Sequence, residues 1–204
     1  MTTSIIFGGC KKDDDDGSSS IKEIKAKIEN ASEFSDVVKV KIRAWDSNDN
    51  EIVLATADFK DDGFTLNLPE TVNSSLLQSV GDGAPSSLTI SNKNAKIFVF
   101  ESVIGYNKDD EVIAYFWHGK EEANSGSACM YFYVDSDLKI TGTEKDSGTD
   151  WEETMVFSLV LKKGWNVVYE TWSYTEQGDK EIYKAELRTS PAIGGIKWFG
   201  EKEW

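Results

Sequence analysis

The sequence predicts an all-β protein, an antiparallel β-sandwich with one short helix. Apolar and polar residues alternate with a period of two along most of the chain after residue 20. Aromatic residues make up 12% of the chain, and only three prolines interrupt it. Clusters of Asn, Asp, Gly and Ser separate the alternating runs at the short spacing that is typical of sandwiches.

The first strands are predicted before residue 69. The run Val38–Trp45 alternates apolar with basic residues, and the turn formers at 46–50 separate it from a second strand at Glu51–Phe59. Asp61-Asp62-Gly63 forms the next turn, and Phe64–Leu68 alternates again. These three runs predict a compact three-strand meander.

One short helix is predicted at Thr71–Val80, where the apolar residues follow helical spacing. The Gly-Asp-Gly-Ala-Pro loop at 81–85 is the best candidate for a boundary. It separates an N-terminal β-sandwich part at residues 21–80 from a larger C-terminal β part at residues 86–204. The pattern leaves open two domains or one continuous domain with a long crossover.

The strand pattern resumes after this loop, with polar turns such as those at 107–110, 124–126 and 177–179 between strands. The predicted strands are Ala95–Tyr106, Glu111–His118, Ser127–Asp135, Leu138–Thr143, Thr154–Lys162, Gly164–Tyr174, Ile182–Thr189 and Ile196–Phe199.

The first twenty residues place a cysteine in a distinctive setting. Cys10 follows the apolar stretch Ile5–Phe7 and two glycines, and two lysines and four aspartates come after it. This segment resembles the lipobox of bacterial lipoproteins, in which the chain is cut before the cysteine and the thiol carries diacylglycerol. The resemblance implies lipidation of Cys10, with residues 1–20 as signal-peptide remnant, lipidation site and acidic tether. A signal peptide usually has an apolar region of roughly 7 to 15 residues, so this leader is short.

The segment Lys12-Asp13-Asp14 resembles the export signal of surface lipoproteins of Bacteroidetes. That resemblance implies a place in the cell envelope, on the outer membrane and exposed at the surface, with membrane attachment through lipid. An ordinary acidic N-terminus is the alternative interpretation. The segment 39–68 is similar to the Ig-like or transthyretin-like modules of such lipoproteins, and 161–169 to a strand-turn-strand corner found among them. Neither similarity implies a chemistry.

The net charge argues against nucleic-acid binding, and the short apolar runs argue against a membrane-spanning helix. The net charge is −14, from 22 basic and 36 acidic residues, so the chain is not expected to bind nucleic acid, whose phosphates require Lys and Arg. No run approaches the eighteen or so apolar residues that a membrane-spanning helix needs.

The sequence offers little for catalysis, and no catalytic residue is predicted. His118 is the single histidine and is expected at a strand end near the surface, whereas Cys129 lies in an apolar run and is expected to be a buried structural thiol. Sequence motifs for nucleophilic serine or phosphate binding are absent. Adjacent acids in predicted turns (Asp61/Asp62, Asp109/Asp110, Glu121/Glu122 and Glu152/Glu153) leave a carboxylate-dependent glycoside hydrolase as an alternative.

Calcium is the one cofactor that the sequence leaves open, and otherwise none is predicted. Asp46-x-Asn48-x-Asn50 begins like a calcium loop, but Glu51 stands where an EF-hand needs glycine and Ala57 where it needs glutamate. The segment therefore fails as an EF-hand, and calcium between sandwich loops stays an open alternative.

The aromatic residues are the remaining candidates for a site. Trp172 and Tyr174 share one strand face, and with Trp151 they lie nearest to polar loops. Exposed aromatic faces suit the C–H faces of sugars, whereas buried ones fill a core. The sequence thus predicts a non-enzymatic envelope lipoprotein that binds a glycan or a surface partner protein through these three residues. The structural alternative is an adhesin or pilus-type subunit whose exposed edge strand pairs with a neighbour.

Overall fold

The computed structural model describes residues 20–203, so Cys10 and the proposed tether up to residue 19 lie outside the described residues. This part of the chain contains fifteen strands and two short 3-10 helices, at Ala31–Phe34 and Ser74–Leu76, and the all-β prediction is confirmed. The strands are β1 Glu23–Lys27, β2 Lys39–Trp45, β3 Glu51–Asp58, β4 Gly63–Asn67, β5 Gln78–Ser79, β6 Leu88–Ile90, β7 Lys96–Phe100, β8 Ser102–Tyr106, β9 Val112–Glu122, β10 Ser125–Val134, β11 Leu138–Ser147, β12 Trp151–Leu161, β13 Gly164–Gln177, β14 Lys180–Arg188 and β15 Lys197–Lys202.

Thirteen of the described strands form one long sheet, and β1 and β4 form a second sheet of two. The long sheet runs β3-β2-β8-β9-β10-β13-β14-β12-β11-β6, with β15 beside β9, β7 beside β10 and β5 beside β7. The sheet branches at β10. One edge of that strand pairs with β9 through Ser125–Ala128 and with β7 through Tyr131–Val134, while the other edge pairs with β13.

The three-strand meander predicted near the N-terminus is wrong. β2 pairs with β3, but β4 turns away and pairs with β1. Asp61 and Asp62 both have positive φ angles, of 53° and 63°, which redirect the chain out of a simple hairpin. Gly63 then lies so close to the backbone of Ala26 that no side chain would fit there. This turn therefore carries β4 into the smaller sheet.

The predicted helix at 71–80 is reduced to a single 3-10 turn at Ser74–Leu76. The side chain of Asn73 accepts a hydrogen bond from the backbone N–H of Ser75, which caps this turn. Asn and Ser favour such caps over helix interiors because their side chains compete for backbone hydrogen bonds. The chain continues as β5, so the apolar residues at helical spacing do not form a regular helix.

One strand pair departs from an antiparallel arrangement. β12 and β13 are consecutive and joined by a tight turn, yet they do not pair, because β14 returns from β13 and inserts between them. β14 is therefore parallel to β12 and antiparallel to β13. The turn is held by Asn166, which is 2% exposed; its side chain accepts from the N–H of Lys162 and donates to the carbonyl of Lys162.

Two hydrophobic cores lie on opposite faces of β10 and β13. The first core is bounded by the small sheet and by β2, β8, β9 and β15, and receives Tyr131 and Tyr133. The second is bounded by β11, β12 and β14, and receives Phe132 and Val134. Successive residues of a strand point to opposite faces, so β10 is apolar on both. No helix in the described part of the chain is long and apolar enough to cross a membrane.

Candidate ligand-binding face

The register of three neighbouring strands places the predicted aromatic residues on one face. Trp172 and Tyr174 are two residues apart on β13, so both project from the same face. Tyr174 lies opposite Tyr183 of β14. Trp151 of β12 lies beside Glu181, two residues before Tyr183, and therefore also projects from that face. We call Trp151, Trp172, Tyr174 and Tyr183 the aromatic stripe.

The stripe crosses the sheet diagonally. Trp172 and Trp151 are two strands and four residues apart in register. At about 4.8 Å between strands and 3.4 Å per residue, their Cα atoms lie about 17 Å apart, with Tyr183 midway. Tyr174 lies directly beside Tyr183. The stripe is thus an extended face, and Tyr183 is a member that the sequence did not single out.

The rings of the stripe are partly buried against the protein and partly exposed to solvent. Trp151 is 38% exposed, and the other three rings are half-buried. Trp172 and Tyr183 pack against the rim of the second core. The indole of Trp172 lies flat against β10 at Gly126, where an added Cβ would come within 2.5 Å of the ring. The glycine therefore provides the space that Trp172 occupies.

Ring contacts distinguish the stripe from the rest of the aromatic residues. In the first core the ring of Phe116 contacts the rings of three residues, Phe34, Phe59 and Phe64, at centroid distances of 5.2 to 6.0 Å. Across residues 20–203 no ring pair includes a member of the stripe. The rings of the stripe are therefore not covered by other aromatic rings of the described residues.

Carboxylates surround the stripe. Glu170 precedes Trp172 by two residues on the same face, and Glu153 lies opposite Tyr183. Burial raises the pKa of Glu170, and the negative charge of Glu101 raises it further. Burial also raises the pKa of Tyr183, with smaller contributions from the charges of Glu170 and Glu153. The face is therefore electronegative.

Two cavities lie mainly outside the stripe, and Trp172 is the stripe residue that borders one of them. A cavity of about 630 Å³ separates β3 from β4, and a shallow one of about 330 Å³ lies mainly on the opposite face of β12, β13 and β14. Thr154, Thr171 and Lys184 line the second cavity. The stripe is a flat face, which suits an extended ligand better than a compact one.

His118 occupies a different place from the one predicted. It lies within β9 and not at its end, and its ring stacks on Trp198 at a centroid distance of 5.0 Å and an angle of 8°. Burial lowers its pKa to about 4, and its Nδ1 atom is buried without a hydrogen-bond partner. The ring therefore packs against Trp198 of the first core. Cys129 is buried at 1% exposure, as the alternation predicts.

Two of the adjacent acid pairs are not in turns as predicted. Glu121 and Glu122 belong to β9, and Glu152 and Glu153 belong to β12. Consecutive strand residues point to opposite faces, so neither pair can hold one substrate between its two carboxylates. Glu152 instead forms an ion pair of 2.9 Å with Lys180 on the face away from the stripe.

The calcium-like segment stabilises a turn. Asp46 Oδ1 accepts hydrogen bonds from the backbone N–H groups of Asn48 and Asn50, at 2.8 and 3.0 Å. The bonds from Asn50 contribute most to lowering the pKa of Asp46. Within the described range no group of three or more His, Cys, Asp or Glu side chains is placed to hold a metal ion.

Comparison with protein-family models, with curated proteins and with solved structures finds no match to this chain.

Proposed function

We propose that the chain is the non-enzymatic binding module of a cell-envelope lipoprotein and that its aromatic stripe binds a glycan. The observation that carries the proposal is the set of four partly exposed rings on one face of three strands, none of which contacts another ring of residues 20–203. Sugar rings present apolar C–H faces that pack on such rings, and their hydroxyl groups hydrogen-bond to carboxylates beside them. Glu153 and Glu170 are in position to accept those bonds.

The location is the second part of the proposal. Cys10 would carry the lipid that holds the module on the outer membrane, because Gly8 and Gly9 precede it and Lys12-Asp13-Asp14 follows it. Expression with labelled palmitate in a bacterium that lipidates proteins tests this part. Incorporation that is lost in Cys10→Ala supports the anchor, and an unlabelled protein, or label retained in that variant, contradicts it.

A glycan array tests the binding function. We expect the wild-type protein to retain at least one glycan class, and Trp172→Ala and Trp151→Ala to lose most of that signal. Trp45→Ala is the matched control, because Trp45 is 53% exposed on β2, outside the stripe. Binding that survives both stripe variants, or no binding at all, contradicts the proposal.

A specific observation favours a second candidate, the structural subunit whose edge strand pairs with a neighbour. Among the described strands β3 pairs with β2 alone, and β4 with β1 alone, and a cavity of about 630 Å³ lies between them. Leu54 and Ala57 of β3 pack against the first core but are only partly buried. A strand from a neighbour would complete both edges and cover these side chains.

Association in solution separates this candidate from the first. A structural subunit should form larger species as concentration rises, measured by light scattering, and Val53→Lys on the exposed side of β3 should weaken them. Val156→Lys on β12 is the control, because Val156 is 38% exposed and Val53 is 45% exposed. A monomer at all concentrations contradicts self-assembly.

A further inference from the structure

The basic side chains near the stripe project from the opposite face of the sheet. On the stripe face of β11 to β14, every charged side chain is a carboxylate. These are Glu144, Asp146, Glu153, Glu170, Glu176 and Glu181. The lysines of the same strands, Lys139, Lys145, Lys180 and Lys184, have the opposite parity and project from the other face. The stripe is therefore bordered by negative charge alone.

Two of these carboxylates, Glu153 and Glu170, have no lysine or arginine partner among residues 20–203. Ten ion pairs join lysine or arginine to acids in the described residues, and none includes Glu101, Glu153 or Glu170. Glu170 is half-buried, and the charge of Glu101 acts on it. A cation beside Glu170 would offset the cost of burying its charge and the repulsion from Glu101. The ring faces of Trp172 and Tyr183 attract cations as well.

We infer that the stripe selects a cationic glycan, a chain whose sugars carry free amino groups. The inference rests on the proposed function, because it assigns the ligand class of the same face. The sugar rings pack on the indoles and phenols, and their ammonium groups pair with Glu153 and Glu170. Glycans that carry carboxylates or sulfates are repelled by these acids and by the net charge of −14.

The sheet geometry favours a sugar chain over a basic peptide. An extended peptide is recognised at the edge of a sheet, where unpaired N–H and C=O groups are available. β12 and β14 are paired on both sides, and β13 is paired on both sides up to Ser173, so the stripe offers mainly a face and little open edge. Its rings and acids can satisfy a sugar chain without backbone hydrogen bonds.

Two matched ligands test the inference on the intact protein. Calorimetric titration would compare an oligomer of β-1,4-linked glucosamine with its N-acetylated form, at a mildly acidic pH and low salt. We expect about tenfold tighter binding of the amino form, with an advantage that shrinks as salt rises. The double variant Glu153→Gln, Glu170→Gln should lose this preference and bind the two oligomers with equal affinity. Glu152→Gln, on the other face of β12, is the control.

The outcomes separate this inference from the proposed function. Equal affinity for the two oligomers, or a preference that survives the double variant, overturns the cationic assignment. A lysine-rich peptide that binds more tightly and depends on Trp172 overturns the assignment to a sugar. If affinity for the N-acetylated oligomer is unchanged in Trp172→Ala, the proposed function itself is contradicted, whatever the charge variants do.

Discussion

The two cores share β10 and β13 but differ in how their aromatic rings are covered. The first core is roofed by β1, β4, the 3-10 helix at Ala31–Phe34 and β15, and its rings contact one another. The second is mostly aliphatic, and Phe132 is the one aromatic residue among its buried members in the described range. Its rim carries Trp172 and Tyr183, neither of which contacts another ring in the part of the chain that the structure describes.

The comparison shows that alternation determines the face of a strand and not what covers that face. Trp165 and Trp172 both belong to β13. Trp165 is 3% exposed, and its Nε1 donates a 2.8 Å hydrogen bond to the carbonyl of Pro69. Trp172 lies beyond the covered part of the strand and is half-buried. An indole is structural in one case and available for binding in the other.

The largest difference between the cores should appear on removing these indoles. Trp165→Ala should lower the free energy of unfolding by about 3 to 5 kcal/mol, because it empties a packed site and removes a hydrogen bond. Trp172→Ala should cost clearly less and should act mainly on binding. Urea unfolding followed by circular dichroism measures both, and equal losses would contradict the distinction between the cores.

Acid should weaken the first core through His118. Its folded-state pKa of about 4 lies below the ordinary value of 6.5, so the unfolded chain takes up the proton first as pH falls. The contribution of His118 is fully present above pH 6.5 and is lost toward pH 4, by up to about 3 kcal/mol. Unfolding curves of wild type and His118→Gln across this window measure it; parallel pH profiles would contradict burial of the ring.

Filling the space beneath Trp172 should disturb the rim of the second core without unfolding the protein. Gly126→Ala places a methyl group where the indole lies, and we expect about 1 kcal/mol of lost stability together with weakened glycan binding. Gly194→Ala is the control, because an added Cβ there meets nothing within 4 Å. Equal glycan affinities of the two variants would contradict a role in binding for the packing of Trp172 on Gly126.

The smallest expected effect concerns Glu170. Its folded-state pKa is raised, so ionisation opposes folding and stability falls as pH rises through this pKa. Glu170→Gln should be slightly more stable at neutral pH, by less than about 1 kcal/mol because solvent screens a half-exposed group. The gain should vanish in acid, where both side chains are neutral. A variant that is less stable at neutral pH would indicate a cation partner for Glu170.

Alternation predicted most strands but stopped short at their polar ends. β11 and β13 were expected to end at Thr143 and Tyr174, and they continue to Ser147 and Gln177. Backbone hydrogen bonds extend a hairpin whether or not its side chains are buried, so the polar tips carry no alternating signal. Trp151 begins β12, three residues before the predicted start at Thr154, and Tyr174 precedes the polar end of β13, which is why the sequence placed both residues near loops.

Other features depended on contacts between distant segments. The pairing of β4 with β1 follows from the turn at Asp61 and Asp62, and the insertion of β14 between β12 and β13 has no local signature. Tyr183 joined the stripe only through its register with Tyr174. The stacking of His118 on Trp198 joins residues 80 positions apart, so the sequence alone could not place that ring against the core.

The indole N–H signals of the seven tryptophans offer the most direct test of the aromatic stripe as a glycan-binding face. In a two-dimensional NMR titration with the N-acetylglucosamine and glucosamine oligomers, we predict that the signals of Trp151 and Trp172 shift with added ligand. Those of Trp165 and Trp198, which are 3% and 4% exposed, should stay in place. Shifts confined to other tryptophans, or none for either oligomer, would contradict the account.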